Sequence, residues 1–160
     1  MKTLLQIKVE ELTEADAPEI ALLLRKVWLE NAQEYPEKWR KSRALSQVQI
    51  LEEMGKGYRF FGIRIRCKLV GVYKALITSK GLFGEHQSVH PDFRKRGLAT
   101  AMYKHFINYA RTHKIEKVYV NILLNHTASR KIVEKMGFHK TGNPYGQSKG
   151  MLVQTYEKQV

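Results

Sequence analysis

Leu5, Ile7 and Val9 alternate with polar neighbours, so residues 5–11 read as a first strand. Ile20, Leu23, Leu24, Val27 and Trp28 then recur at the spacing of one buried helical face, with Thr13 or Asp16 placed to cap the helix and Pro18 in its first turn. A polar break over 31–37 leads into a second helix from about 39 to 54, which Gly55 and Gly57 end. Residues 58–66 and 69–79 read as strands joined by a tight turn near Cys67-Lys68, and 82–89 as a fourth strand stopped by Pro91. From Gly97 to about His113 the pattern is helical again, with Leu98, Met102, Phe106 and Ala110 on one face. Residues 117–123 are apolar and β-branched, a fifth strand; Ala128, Ile132, Val133 and Met136 line a short helix closed by Gly137. The last strands are 138–141 and 151–158, separated by a turn-rich loop over 142–150. The predicted order is β-α-α-β-β-β-α-β-α-β-β, a mixed α/β or α+β fold of about seven strands in one domain spanning 1–160.

A chain of 160 residues with 43% hydrophobic side chains can close a core without disulfides or metals. The lone Cys67 excludes an internal disulfide framework and a Cys-paired zinc site, which points to a reducing, cytoplasmic compartment. No stretch reaches the roughly 18 apolar residues of a membrane span, and Gln6, Lys8 and Glu10 interrupt the apolar start before it resembles a secretory leader. Charge changes the picture more. The net charge is +13, but residues 1–54 carry eight basic and ten acidic side chains, net −2, while 55–160 carry twenty basic and five acidic, net +15. A basic field of that size concentrates polyanions, whether nucleic acid, anionic lipid or a phosphate-rich small molecule.

The most informative segment is Val89-His90-Pro91-Asp92-Phe93-Arg94-Lys95-Arg96-Gly97-Leu98-Ala99-Thr100. A strand stops, a basic turn follows, and a helix starts on small residues. Gly97 and Ala99 leave the backbone uncovered, so main-chain N–H groups at the helix N-terminus can approach an anion, with three cations beside them. The phosphate-loop and three-glycine dinucleotide patterns are absent. An ordinary solvated basic turn has the same composition.

Arg94-x-x-Gly97-x-Ala99 after Val89-x-Pro91 resembles the pyrophosphate-binding signature, Gln/Arg-x-x-Gly-x-Gly/Ala, of the GNAT acyl-CoA N-acyltransferases. Lys135-Met136-Gly137-Phe138 resembles the end of that family's next helix, usually Tyr-x-x-x-Gly-Phe, and the element order is that of its fold. The resemblance implies a sheet splayed between its fourth and fifth strands, with acetyl-CoA in the cleft as acyl donor and no metal. It implies that the backbone at Gln87, Ser88 and Val89 pairs with the pantetheine arm. Lys95, Arg96, Gly97, Leu98, Ala99 and Thr100 would cradle the pyrophosphate, and Arg94 would add to the cationic field. The family's usual Tyr falls on Val133 and its usual Asn on His126, with Asn125 one place early and also a cofactor-binding candidate. Val cannot protonate a departing thiolate, so Tyr145, on the loop between the last strands, or water takes that role.

Strand alternation places Glu85, Gln87 and Val89 on one face and His86, Ser88 and His90 on the other. Glu85 is the only acidic residue between Glu53 and Asp92, which makes it a candidate base for an acceptor amine that arrives protonated; a strand carboxylate paired with Arg64 or Arg66 is the other reading, and His86 is the reserve base. His105 and His113 fall on the outward side of their helix, and the histidines do not converge as metal ligands. Trp28, Phe60 and Phe61 read as core; Tyr35 and Trp39 are placed to line an acceptor pocket, with Glu30, Glu34 and Glu37 as a local acidic rim. The reading is an acetyl-CoA-dependent N-acetyltransferase acting on a primary amine of a small molecule, peptide or protein, with no specific nucleic-acid or membrane partner and a homodimer left open. Its rivals are a noncatalytic acyl-CoA-binding protein and a basic nucleic-acid-binding domain with a vestigial cleft.

Overall fold

The computed structural model describes residues 7–146 and 151–160, and of His86 the backbone. Seven strands form one mixed sheet in the order β1-β2-β3-β4-β5-β7-β6: β1 (Val9–Leu12), β2 (Arg59–Ile65), β3 (Lys68–Thr78), β4 (Gly81–Val89), β5 (Lys117–Leu123), β6 (His139–Gly146) and β7 (Leu152–Gln159). Neighbours are antiparallel except β4 and β5, which run parallel because α4 (Leu98–Thr112) makes the crossover between them. Strand alternation divides the core. Phe60 and Val72 pack under α1 (Ala17–Trp28), α2 (Glu37–Arg43) and α3 (Gln47–Gly55), whereas Phe61 and Tyr73 face α4 and the buried Val133 of α5 (Thr127–Lys135).

The helix predicted over 39–54 is two helices. Ser46 begins the second by a capping box: its Oγ accepts from the Gln49 backbone N–H at 3.2 Å, and Gln49 Oε1 accepts from the Ser46 N–H at 2.8 Å. The Ser-x-x-Gln spacing carries that signal, and the continuous apolar periodicity hides it. The predicted loop over 142–150 is also shortened. β6 runs on to Gly146 past an irregularity between Thr141 and Tyr145, where the buried Gln154 side chain donates to the carbonyls of Thr141 and Gly142. Gly142 and Pro144 read as a turn in sequence, yet an edge strand tolerates both. The first strand begins at Val9, and the remainder of its predicted span and of the 142–150 loop lies partly outside the described residues. Within the described residues, no helix is long and apolar enough to cross a membrane.

Arg64 ties the start of the chain to the sheet. Its guanidinium reaches Glu10 at 2.8 Å, Asp16 at 2.7 Å and Glu19 at 2.8 Å, linking β1, the short 3-10 turn Glu14–Asp16 and the first turn of α1. His105 does not face outward as predicted; its Nδ1 lies 2.6 Å from the Tyr73 hydroxyl, and its ring packs against Phe61.

Candidate functional site

Three register pairs hold β4 to β5: Leu82↔Val118, Phe83↔Tyr119 and Gly84↔Val120. Past Gly84 the pairing stops, while β4 continues to Val89 and β5 to Leu123. A cavity of ≈ 150 Å³ opens there, lined by Glu85 and Gln87 from β4, Asn121 and Leu123 from β5, and helix residues that include Trp28, Trp39 and Tyr103. Gly84 permits the close approach that precedes the split, since a Cβ at that position would stand 2.8 Å from the Phe106 ring.

The alternation predicted for β4 does not hold. Val72 pairs with Ser88 but Lys74 with Glu85, so β4 spends one more residue than β3 between those pairs, a β-bulge. The bulge turns Glu85 and Ser88 to the same face. Ser88 Oγ accepts from Trp28 Nε1 at 2.8 Å under α1, and Glu85 Oε1 accepts from the Tyr58 hydroxyl at 3.0 Å. Gln87 goes the other way, donating from Nε2 to the Ala99 carbonyl in the first turn of α4 at 3.2 Å. Nor does Glu85 pair with Arg64 or Arg66: Arg64 is spent on its three acids, and the Glu85 carboxylate lies 3.5 Å from the ammonium of the buried Lys74, which itself bonds Glu53 at 2.7 Å. Burial and the Glu85 charge together push the Tyr58 phenol far above its ordinary range, so it stays a donor. The side chain of His86, the reserve base, lies outside the described residues.

The basic turn is built for main-chain access. Lys95 and Gly97 both adopt positive φ, 62° and 81°, curling the chain into the start of α4, and Gly97 as N-cap offers no side-chain cap to the first-turn N–H groups. A Cβ on Gly97 would meet nothing within 4 Å, so the space in front of the helix end is open. Leu98 is buried as a core residue, and Ala99 and Thr100 are half-buried, so these positions offer their backbone N–H groups; Arg94, Lys95 and Arg96 are exposed cations, with Arg96 stacked 5.0 Å over the Phe93 ring. Gln87, which lines the cavity, bonds the Ala99 carbonyl in the first turn of α4 and so ties the start of that helix to the cleft wall.

Other predicted residues are less central. Val89 packs into the α4-side core, Asn125 is exposed, and its neighbour His126 lines the cavity. His126 caps α5 by accepting the Ser129 N–H on Nδ1 at 3.1 Å, so its proton sits on Nε2, and burial followed by the Arg43 charge lowers its pKa below the usual imidazole value. Val133 is wholly buried in the core. Tyr145 stands on strand β6 rather than on a loop, is 44% exposed, and does not line the cavity. Arg43 and Tyr103 line it without having been singled out; an Arg inside a predicted helix and a Tyr on an apolar helical face carry no signal of a cleft in sequence. Among the described residues, no group of three or more His, Cys, Asp and Glu gathers as a metal site.

The fold is shared with solved acetyltransferases. The ribosomal-protein-S18-alanine N-acetyltransferase of Escherichia coli aligns with a TM-score of 0.76 at 15% identity, covering 96% of this chain and 94% of that one. The PaiA N-acetyltransferase of Thermoplasma acidophilum, in complex with coenzyme A, aligns at 0.77 and 14% identity, covering 98% and 100%. A GNAT-family acetyltransferase of Streptococcus pneumoniae aligns at 0.78 and 15%, covering 97% and 99%. Nothing among curated proteins matches the chain. The model of the acetyltransferase (GNAT) family matches residues 24–138, and with that match over most of its length the chain belongs to the GNAT acetyltransferases.

Proposed function

We propose that this protein moves an acetyl group from acetyl-CoA to a primary amine by direct attack. The observation that carries the reading is the cleft itself: where β4 and β5 part, Gln87 on the cavity wall bonds the first turn of α4, whose uncapped N-terminus follows three cations, and Glu85 lines the same cavity. Acetyl-CoA would supply the activated acyl group. The N–H groups opening α4 would hold its pyrophosphate, with Arg94, Lys95 and Arg96 neutralising charge, and the edge of β4 at Gln87, Ser88 and Val89 would take the pantetheine arm in place of β5. Glu85 would receive the proton of the acceptor ammonium, directly or through water, held in place by Tyr58 and Lys74. Trp28 and Trp39 would keep bulk water from the reacting atoms. Val133 has no part, and the departing thiolate would be protonated by water rather than by Tyr145, because that hydroxyl stands outside the cavity.

The test is release of free CoA thiol on mixing the protein with acetyl-CoA and a panel of primary amines. Amine-dependent release supports transfer. Calorimetric binding of acetyl-CoA without release for any amine would assign the chain a noncatalytic, cofactor-binding role.

A further inference from the structure

Arg43 is the charged group in the cleft that the transfer reading leaves without a task. It ends α2 with its guanidinium carbon 4.5 Å from the centroid of the Trp28 ring and 4.6 Å from that of Trp39. Its Nε is buried with no hydrogen-bond partner, and among the described residues its guanidinium makes no ion pair. The two indoles lie toward the same side of the guanidinium, their centroids 5.2 Å apart, and such a contact gives the Nε–H no acceptor. A buried N–H donor with no acceptor is costly, so the half-buried Arg43 guanidinium, whose Nε is in that state, is poised for an acceptor that arrives from outside.

The surroundings hold Arg43 where it is. Trp28 is fixed by its bond to Ser88, and Tyr35 lies 4.9 Å from Trp39, ring to ring. Arg40, almost one turn earlier on α2, donates to the carbonyls of Trp28 at 3.2 Å and Tyr35 at 3.1 Å, closing the segment around the pocket. Desolvation lowers the Arg43 pKa to about 10, which still leaves it a cation at neutral pH. Glu85 lines the same cavity, and its charge reaches Arg43. The pocket therefore presents a fixed cation and a fixed anion within one small space. A polyamine would meet repulsion at Arg43, and a simple monoamine would leave the guanidinium unanswered. A zwitterion answers both groups.

We propose that the acceptor is a compact amine that also bears a carboxylate, with the carboxylate received by the in-plane N–H groups of Arg43 and the amine presented toward Glu85. The planar fork of arginine matches a carboxylate two bonds at a time, which a point charge does not. The cavity of ≈ 150 Å³ has room for a compact amine at the reacting end, and Arg43 would select those that carry a carboxylate beside it. This inference rests on the transferase reading and narrows it to a substrate class.

The experiment compares amino acids with their own carboxamides as acceptors, scored by CoA release, in the wild type, Arg43→Gln and Arg43→Lys. The wild type should prefer the carboxylate member by about 10- to 100-fold in kcat/KM, the range expected for charge-assisted hydrogen bonds. Arg43→Gln should bring that ratio close to one, and Arg43→Lys should recover part of it. Equal use of both members by the wild type, or a preference that survives Arg43→Gln, overturns the proposal. The wild-type comparison needs no variant to fold, and thermal unfolding shows whether the variants do. If no amine releases CoA, the transferase reading fails by itself. The Arg43 proposal is then decided by calorimetric titration of CoA-loaded protein with the same pairs. Heat from the carboxylate member alone, lost in Arg43→Gln, supports it, and no heat or equal heat from both overturns it.

Discussion

Replacing Lys74 with Met keeps the length of the side chain and removes its ammonium. That ammonium bonds both Glu53 oxygens, at 2.7 and 2.9 Å, lies 3.5 Å from Glu85, and sits 4.5 Å from the centroid of the Tyr58 ring. The Lys74 side chain is 3% exposed, those of Glu53 and Glu85 21% and 26%. Breaking one side of a buried ion pair costs about 3–5 kcal/mol, because the remaining charge is stranded. Here two carboxylates would be left facing each other, yet each keeps enough surface for water to answer part of the loss, so we expect about 2–3 kcal/mol. For a chain of this size, at about 2–4 °C per kcal/mol, the melting temperature should fall by about 4–12 °C. Thermal unfolding followed by circular dichroism measures it, with urea unfolding as a check on the free energy. Glu53→Gln added to Lys74→Met should recover part of the loss, since it removes one of the stranded charges. A fall below about 2 °C, or a double variant less stable than the single one, would refute the view that Lys74 neutralises both acids.

Gly97→Glu should reduce acetyl-CoA affinity by more than about 100-fold in calorimetry, because it sets a negative side chain at the helix end and strains a φ of 81°; Gly97→Ala, whose Cβ meets nothing within 4 Å, should lose far less. Gly84→Ala should destabilise by about 1–3 kcal/mol in urea unfolding, as its methyl group would press on the Phe106 ring at 2.8 Å. Tyr145→Phe should leave kcat and kcat/KM within about twofold of wild type, and a joint fall in both would return the proton-donor role to that hydroxyl. The Thr13 backbone N–H, and then Arg64, hold the Asp16 carboxyl below its ordinary pKa. A depressed carboxylate stabilises the fold above its unfolded value and loses that contribution as pH falls through the folded one, so acid unfolding from about pH 4 downward should be flatter in Asp16→Asn.

The strand and helix order was readable because the apolar periods are long and punctuated by Gly and Pro, as at Gly55, Pro91 and Gly137. The basic turn was readable for the same reason, a glycine opening a helix after a stopped strand, whereas the positive φ of Gly97 comes from the structure. What escaped was non-local. The bulge in β4 depends on how β3 pairs with it, so parity counting assigned Glu85 and Gln87 to one face when they serve opposite ones. The partner of Glu85 is Lys74, a strand lysine with no local mark, while the arginine expected to pair with it serves the chain's first helix. Arg43 falls inside the helix predicted over 39–54, and only packing shows it beside two indoles.

The three residue pairs joining β4 to β5 also have a mechanical meaning. They cluster near one end of the seam, so β1–β4 and β5–β7–β6 form two halves of the sheet joined at Leu82, Phe83 and Gly84. Each half is laced internally by longer ladders, such as the seven pairs between β5 and β7. Beyond those three pairs the two halves meet through side-chain packing rather than backbone bonds. A molecule lying along the open edge of β4 would replace the missing rungs, and occupancy of the cleft would then join one half of the sheet to the other.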